Sequence, residues 1–196
     1  MKKFVLAALV ASSAFIATGA SAQTVSGDVT ITGSVAPKCL VVTGGTPAGT
    51  TFAGTVALGE LADATGKLRA NVEASFDTGA GALNFQVVCT SSRPTVTVDA
   101  NPIVALNNAT APAGYARLIN YTANVTFDET PGPSELVSNA STAVAATSLQ
   151  LANRLASGAT NIHIDGSGFA TPNATDILVA DTAYEGHILI TIAPTS

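Results

Sequence analysis

Apolar residues at every second position, in short runs that Gly, Pro, Asn or Asp interrupt, dominate this chain from Val25 to Ala193. Period-two alternation places successive side chains on opposite faces of an extended strand, and short runs between turn residues give the cadence of an all-β sandwich or barrel. The candidate strands are Val25–Val35, Cys39–Thr43, Thr51–Leu61, Leu83–Cys89, Thr95–Asp99, Leu118–Phe127, Thr160–Asp165, Asp176–Val179 and His187–Ala193. Between Pro131 and Leu155 two periods compete: Val144, Leu151 and Leu155 fit a helix face, while Thr147, Leu149 and Leu151 fit alternation. That stretch is read as mostly irregular chain with one short strand. The Gly44–Gly54 run and Pro131-Gly132-Pro133 read as surface loops, and the Gly79/Gly81 pair as a turn ahead of a strand.

The first residues set the compartment. Met1-Lys2-Lys3 is basic, Phe4 to Ile16 is apolar or small, and Ala20-Ser21-Ala22 is a small-x-small cleavage site, so residues 1–22 read as a signal peptide. The competing reading, a membrane anchor, needs ~20 apolar residues and meets polar Ser, Thr and Gly too soon. Export is therefore expected, with no membrane segment in the mature chain.

Removing residues 1–22 leaves 174 of the 196 residues, enough for one domain with a sizeable core. Taking Lys2 and Lys3 from the eight Lys and Arg leaves six against thirteen Asp and Glu, a net charge of −7. Such a surface repels nucleic acid and anionic membranes. The two cysteines, Cys39 and Cys89, form an even count in an exported chain, which favours a structural disulfide worth ~4 kcal/mol in the chain-entropy model. A metal site or a reactive thiol are the alternatives; the first needs further ligands and the second a basic neighbourhood.

Little in the chain points to catalysis. His163 and His187 are the two histidines, and G-x-S-x-G, H-E-x-x-H and phosphate-loop patterns are all missing. His163 and Asp165 are spaced to share a strand face, yet two ligands do not make a metal site, and a solvated polar pair is the simpler reading. No enzyme activity, cofactor or metal is expected. Five Asn-x-Ser/Thr triplets, at Asn108, Asn120, Asn124, Asn139 and Asn173, are ascribed to chance in so Asn- and Thr-rich a sequence.

The order of features carries more. Ile31-x-Gly33-x-Val35 lies ahead of Cys39; Gly54-Thr-Val-Ala-Leu-Gly-Glu-Leu61 follows, then Leu83-Asn-Phe-Gln-Val-Val-Cys89 and a terminal Tyr184-Glu-Gly-His-Ile-Leu-Ile-Thr-Ile192. This arrangement resembles the subunits of bacterial chaperone–usher pili, nearest to their spore-coat-U-like or archaic branch. It departs from the better-known branch in lacking a near-terminal aromatic. The resemblance implies an immunoglobulin-like sandwich missing its last strand (residues 37–196), preceded by an N-terminal donor-strand extension (residues 23–36). By that resemblance Val29, Ile31, Gly33 and Val35 would enter a neighbouring subunit, whose acceptor groove would be lined by Val41, Ile188, Ile190 and Ile192. The implied partners are a periplasmic chaperone, an outer-membrane usher and other copies of this or related pilins. The implied role is structural, in adhesion or biofilm formation at the cell surface. Two other classes stay open: a monomeric secreted binding domain for carbohydrate or host protein, using loops such as Asn107–Tyr115, and an exported hydrolase. Val25–Val35 could equally be the first strand of a self-contained sandwich.

Overall fold

The computed structural model describes residues 26–158 and 160–195; the expected signal peptide, like Val25, lies outside the described residues. The chain divides between Ser34 and Val35. Residues 26–38 carry no strand, so the first strand expected from alternation is not paired.

The elements run in chain order as β1 (Cys39–Thr43), β2 (Thr46–Gly49), α1 (Val72–Gly81), β3 (Val87–Cys89), β4 (Thr95–Ala100), β5 (Ile103–Ala105), β6 (Tyr115–Ala116) and β7 (Leu118–Phe127). They continue as β8 (Glu129–Thr130), β9 (Glu135–Ala140), β10 (Thr147–Gln150), β11 (Arg154–Leu155), β12 (Ile162–Ala170), β13 (Ile177–Leu178), β14 (Tyr184–Glu185) and β15 (Ile188–Ala193). The fold is an all-β sandwich. In one layer β1 pairs β3, Phe85 just before β3 bridges Ile162 of β12, and β12 pairs β7, which β9 flanks. In the other, β4 is central between β10 and β15. All these ladders are antiparallel.

Alternation explains the core. In β7 Ile119, Tyr121, Ala123, Val125 and Phe127 are buried while the residues between them are half-buried, and in β4 Val96, Val98 and Ala100 are buried. Cys39 and Cys89 sit directly opposite each other in the β1–β3 ladder, with Cα atoms 4.1 Å apart, and are bonded as a disulfide. Tyr121 lies so deep that burial pushes its phenol up to about 12; its hydroxyl donates to the His187 carbonyl.

Two buried asparagines join elements that ladders do not. The Asn161 Oδ1 accepts from the Val87 N–H, and its Nδ2 donates to the Val87 and Ala156 carbonyls. The Asn139 Oδ1 accepts from the Ala100 N–H, and its Nδ2 donates to Ala145 O and Thr147 Oγ1, tying β9 to β4 and β10 across the layers. A buried polar side chain is tolerated only when so satisfied.

Several readings from periodicity are corrected. Gly79 and Gly81 lie in helix α1 and form no turn; Val72, Phe76 and Ala80 make its buried face at four-residue spacing. Phe76 packs on Phe169 of β12, ring centroids 5.4 Å apart, over Gly166, where a Cβ would meet both rings. Thr51–Leu61 forms no strand and joins no ladder, apart from one bridge at the following Ala62. It holds on by side chains: Phe52 lies 4.8 Å from Phe85, centroid to centroid, and Val56 covers the Gly79 surface of α1. The Pro131–Leu155 stretch contains three strands, β9, β10 and β11, so alternation prevails over the helical period. Part of the Gly44–Gly54 loop is strand β2.

Asn161→Ala tests this account. It strands the Val87 N–H and carbonyl in the core, and at about 1–3 kcal/mol per unsatisfied buried group the loss should be about 3 kcal/mol in urea unfolding. A change below about 1 kcal/mol would show that the suture is dispensable.

Candidate functional site

The last strand leaves one side of the sandwich open. All six residues of β15 pair with β4, from Ile188↔Ala100 to Ala193↔Thr95. The Asn101 N–H donates to the His187 carbonyl at 2.8 Å, so the hydrogen-bonded pairs of this ladder fall at Leu189–Asp99, Thr191–Thr97 and Ala193–Thr95. The backbone groups of Ile188, Ile190 and Ile192 consequently point away from β4, toward an edge on which no described strand pairs. The same three residues turn their side chains inward: they are half-buried and pack on the core, while Leu189, Thr191 and Ala193 are exposed.

Beside that edge lies a cleft of about 290 Å³, with Leu189, Ile190, Thr191 and Ile192 on one wall and Cys39, Leu40 and Val41 on the other. Thr50, Thr51, Phe52 and Val87 complete it. Of the groove residues expected from the sequence, the structure brings Val41, Ile190 and Ile192 to this cleft; Ile188 continues the same inward row of β15 but does not line it. Leu40, beside Val41, lines it too, and Phe52 is an addition. Phe52 had a signal, as the apolar start of the alternating Thr51–Leu61 stretch. An apolar cleft flanked by unpaired backbone donors and acceptors can bind an extended peptide, through main-chain bonds on the edge and side chains in the cleft.

The residues ahead of β1 expose large apolar side chains. Val29, Ile31 and Val35 are 84%, 91% and 78% exposed, and nothing lies near the position of a Cβ on Gly33. Three large apolar side chains on a free segment is costly exposure unless something covers them.

The polar residues singled out in the sequence bond to other parts of the fold. His163 bonds Asp128 at 2.9 Å, not Asp165, and Ser134 donates to the same carboxylate. Among the described residues no three of His, Cys, Asp and Glu gather as a metal site would require. Asp181 organises the loop after β5: it accepts from the Ala183 N–H, from the backbone and side chain of Asn107, and from the Asn108 side chain. Led by the Ala183 bond, these hold its carboxyl down at about 2. The loop start is thus pinned, and Leu106 and Tyr115 stay exposed on either side of it.

No family model, curated protein or solved structure matches the chain.

Hydrogen exchange should read the β15 edge directly. In the isolated subunit the amides of Leu189, Thr191 and Ala193 should be protected and those of Ile190 and Ile192 should exchange at least about tenfold faster. Uniform protection along β15 would mean that its outer edge is already paired. Asp181 sets a second expectation. A carboxyl depressed in the fold contributes above its unfolded value of 3.8 and loses that contribution as pH falls toward about 2. The Asn107 and Ala183 amides should therefore lose protection across that interval in an NMR pH series, and Asp181→Asn should abolish the pH dependence.

Proposed function

We propose that this chain is a structural subunit of an extracellular chaperone–usher pilus, polymerising when the N-terminal extension of one copy enters the cleft between β1 and β15 of the next. The observation that carries this reading is the unpaired edge of β15, where the outward backbone of Ile188, Ile190 and Ile192 borders an apolar cleft. The order of strands supports it. The sequence β1-β3-β12-β7 in one layer is compatible with the A-B-E-D order of an immunoglobulin-like sandwich, and β4-β15 with C-F; on that reading the open side of β15 would be where the final strand, G, belongs.

Val29, Ile31 and Val35 supply what that place lacks. All have odd numbers, so in an extended strand they project to one face and can seat side by side in the cleft, with Gly33 crossing wherever the cleft narrows. Burying each side chain contributes about 1.5–3 kcal/mol. The donor and acceptor surfaces differ, so the contact is head-to-tail and, where its rotation does not close, generates a filament. Before assembly the open edge invites mispairing, which is the physical reason for a periplasmic chaperone to cover it and for an outer-membrane usher to exchange it. Adhesion or biofilm formation at the cell surface follows as the role of such a filament.

The test is deletion of residues 23–36 behind an intact signal peptide. Cells making the deleted chain should export a stable monomer yet show no filaments by electron microscopy, while the full chain forms them. Filaments of normal number from the deleted chain would overturn the proposal, and a full chain that stays monomeric at the cell surface would favour a secreted binding domain.

A further inference from the structure

Strand β2 occupies a position that the proposed assembly needs. The Val42 N–H donates to Gln86 O and the Thr90 N–H to Lys38 O, so the even-numbered residues of β1 bond to β3, and Cys39, Val41 and Thr43 direct their backbone groups to the opposite edge. On that edge β2 pairs Thr43 with Thr46, Val42 with Pro47 and, after a bulge, Val41 with Gly49. Only Cys39 is left without a ladder partner there. A strand that carries Val29 to Val35 spans about 20 Å and cannot be received by one residue.

The make-up of β2 is that of a temporary cover. It reads Thr-Pro-Ala-Gly and brings no large aliphatic side chain; Thr46 and Pro47 are exposed. Pro47 falls at a non-bonded position, so its missing N–H faces outward and β2 cannot itself be extended by another strand. The bulge at Val41/Val42 interrupts the ladder, and the joining turn uses Gly44 and Gly45 at φ 60° and 80°. Beneath the hairpin a cleft of about 600 Å³ remains, bounded by Val41–Gly45 and by Thr51–Ala53, and it shares Val41, Thr51 and Phe52 with the cleft beside β15. β2 thus satisfies the backbone of β1 without filling the space next to it.

We propose that β2 is a displaceable guard of the β1 edge: in the free subunit it closes Val41–Thr43, and the extension of a second copy peels it away as that strand settles between β1 and β15. This rests on the strand-insertion reading above and adds a barrier built into the acceptor itself. Strengthening β2 slows insertion, and weakening its turn accelerates it. Gly49 is suited to the first, because a Cβ there would stand 3.8 Å from the Val41 Cβ and 3.7 Å from Thr51 O, ordinary contact distances. Gly45 is suited to the second, since a β-branched residue is strained at its φ.

The experiment uses the isolated full chain and a synthetic peptide of residues 23–36. In hydrogen exchange the Thr46 amide should lose protection at least about tenfold on peptide binding, while Val41 and Thr43 stay protected. Gly49→Val adds a cross-strand pair with Val41 and should slow peptide uptake about two- to fivefold, and Gly45→Val should speed it by a similar factor. The β1–β3 amides, unchanged in both variants, report that the sandwich is intact. Binding with Thr46 protection retained, or uptake at the wild-type rate in both variants, would overturn the guard and leave strand insertion standing. No binding by the wild type or by Gly45→Val would overturn strand insertion and the guard together.

Discussion

In the ladder between β4 and β15, half of the backbone groups of β15 are spent on β4 and the other half, those of Ile188, Ile190 and Ile192, face away with no described strand to receive them. The inward side chains of these residues belong to the core, so the edge cannot be made harmless by placing charges there, the device that sandwiches ordinarily use. A polar side chain at Ile190 would protect the edge and spoil the core. The conflict arises because one strand is asked to be both an interior surface and a border, and in the proposed assembly a further strand would relieve it.

The opposite border shows the other solution. β1 is held to β3 by its ladder and by the Cys39–Cys89 disulfide, and its outer edge carries β2. That cover is short, interrupted by a bulge, and carries Pro47, whose outer edge offers no N–H for a further strand. The two walls of the cleft therefore differ. The β15 wall is bare and apolar, and the β1 wall is capped by a hairpin with a glycine-only turn. A strand arriving from outside, as proposed, would meet strong hydrogen-bonding capacity on one side and a competitor on the other.

What the sequence made legible was what period two alone determines. β7, β4 and β15 were readable from Leu118–Phe127, Thr95–Asp99 and His187–Ala193 because long alternation and burial on one face are the same fact. Thr51–Leu61 alternates as well, yet forms no ladder: its inward Phe52, Val56 and Leu58 are half-buried against the sandwich, and alternation records that burial, not the presence of a partner strand. Helix α1 is not legible in the sequence because its apolar face is Val72, Phe76 and Ala80 among small residues, with Gly79 and Gly81 at its end resembling a turn. His163 found Asp128, thirty-five positions away, and its neighbour Asp165 did not compete, since only the folded sheet decides which carboxylate faces the ring. Of the cleft, the alternating isoleucines were visible; the vacancy beside them was not, because an unpaired edge is a property of topology.

The extension and the cleft also differ in what they gain from meeting. In the proposed assembly Val29, Ile31 and Val35 would lose exposed apolar surface, a gain that any greasy groove could provide. The outward N–H and C=O groups of β15 would gain directional partners, which only an extended backbone in register can provide. A one-residue slip would turn Val29, Ile31 and Val35 away from the core and toward solvent, so side chains and backbone together admit one register class. Affinity can thus come from the apolar side chains while selectivity comes from the alternation, and a guard that yields only to a strand in register, such as β2, sharpens that selectivity further by making a mismatched strand compete with Thr46 and Gly49 for the same edge.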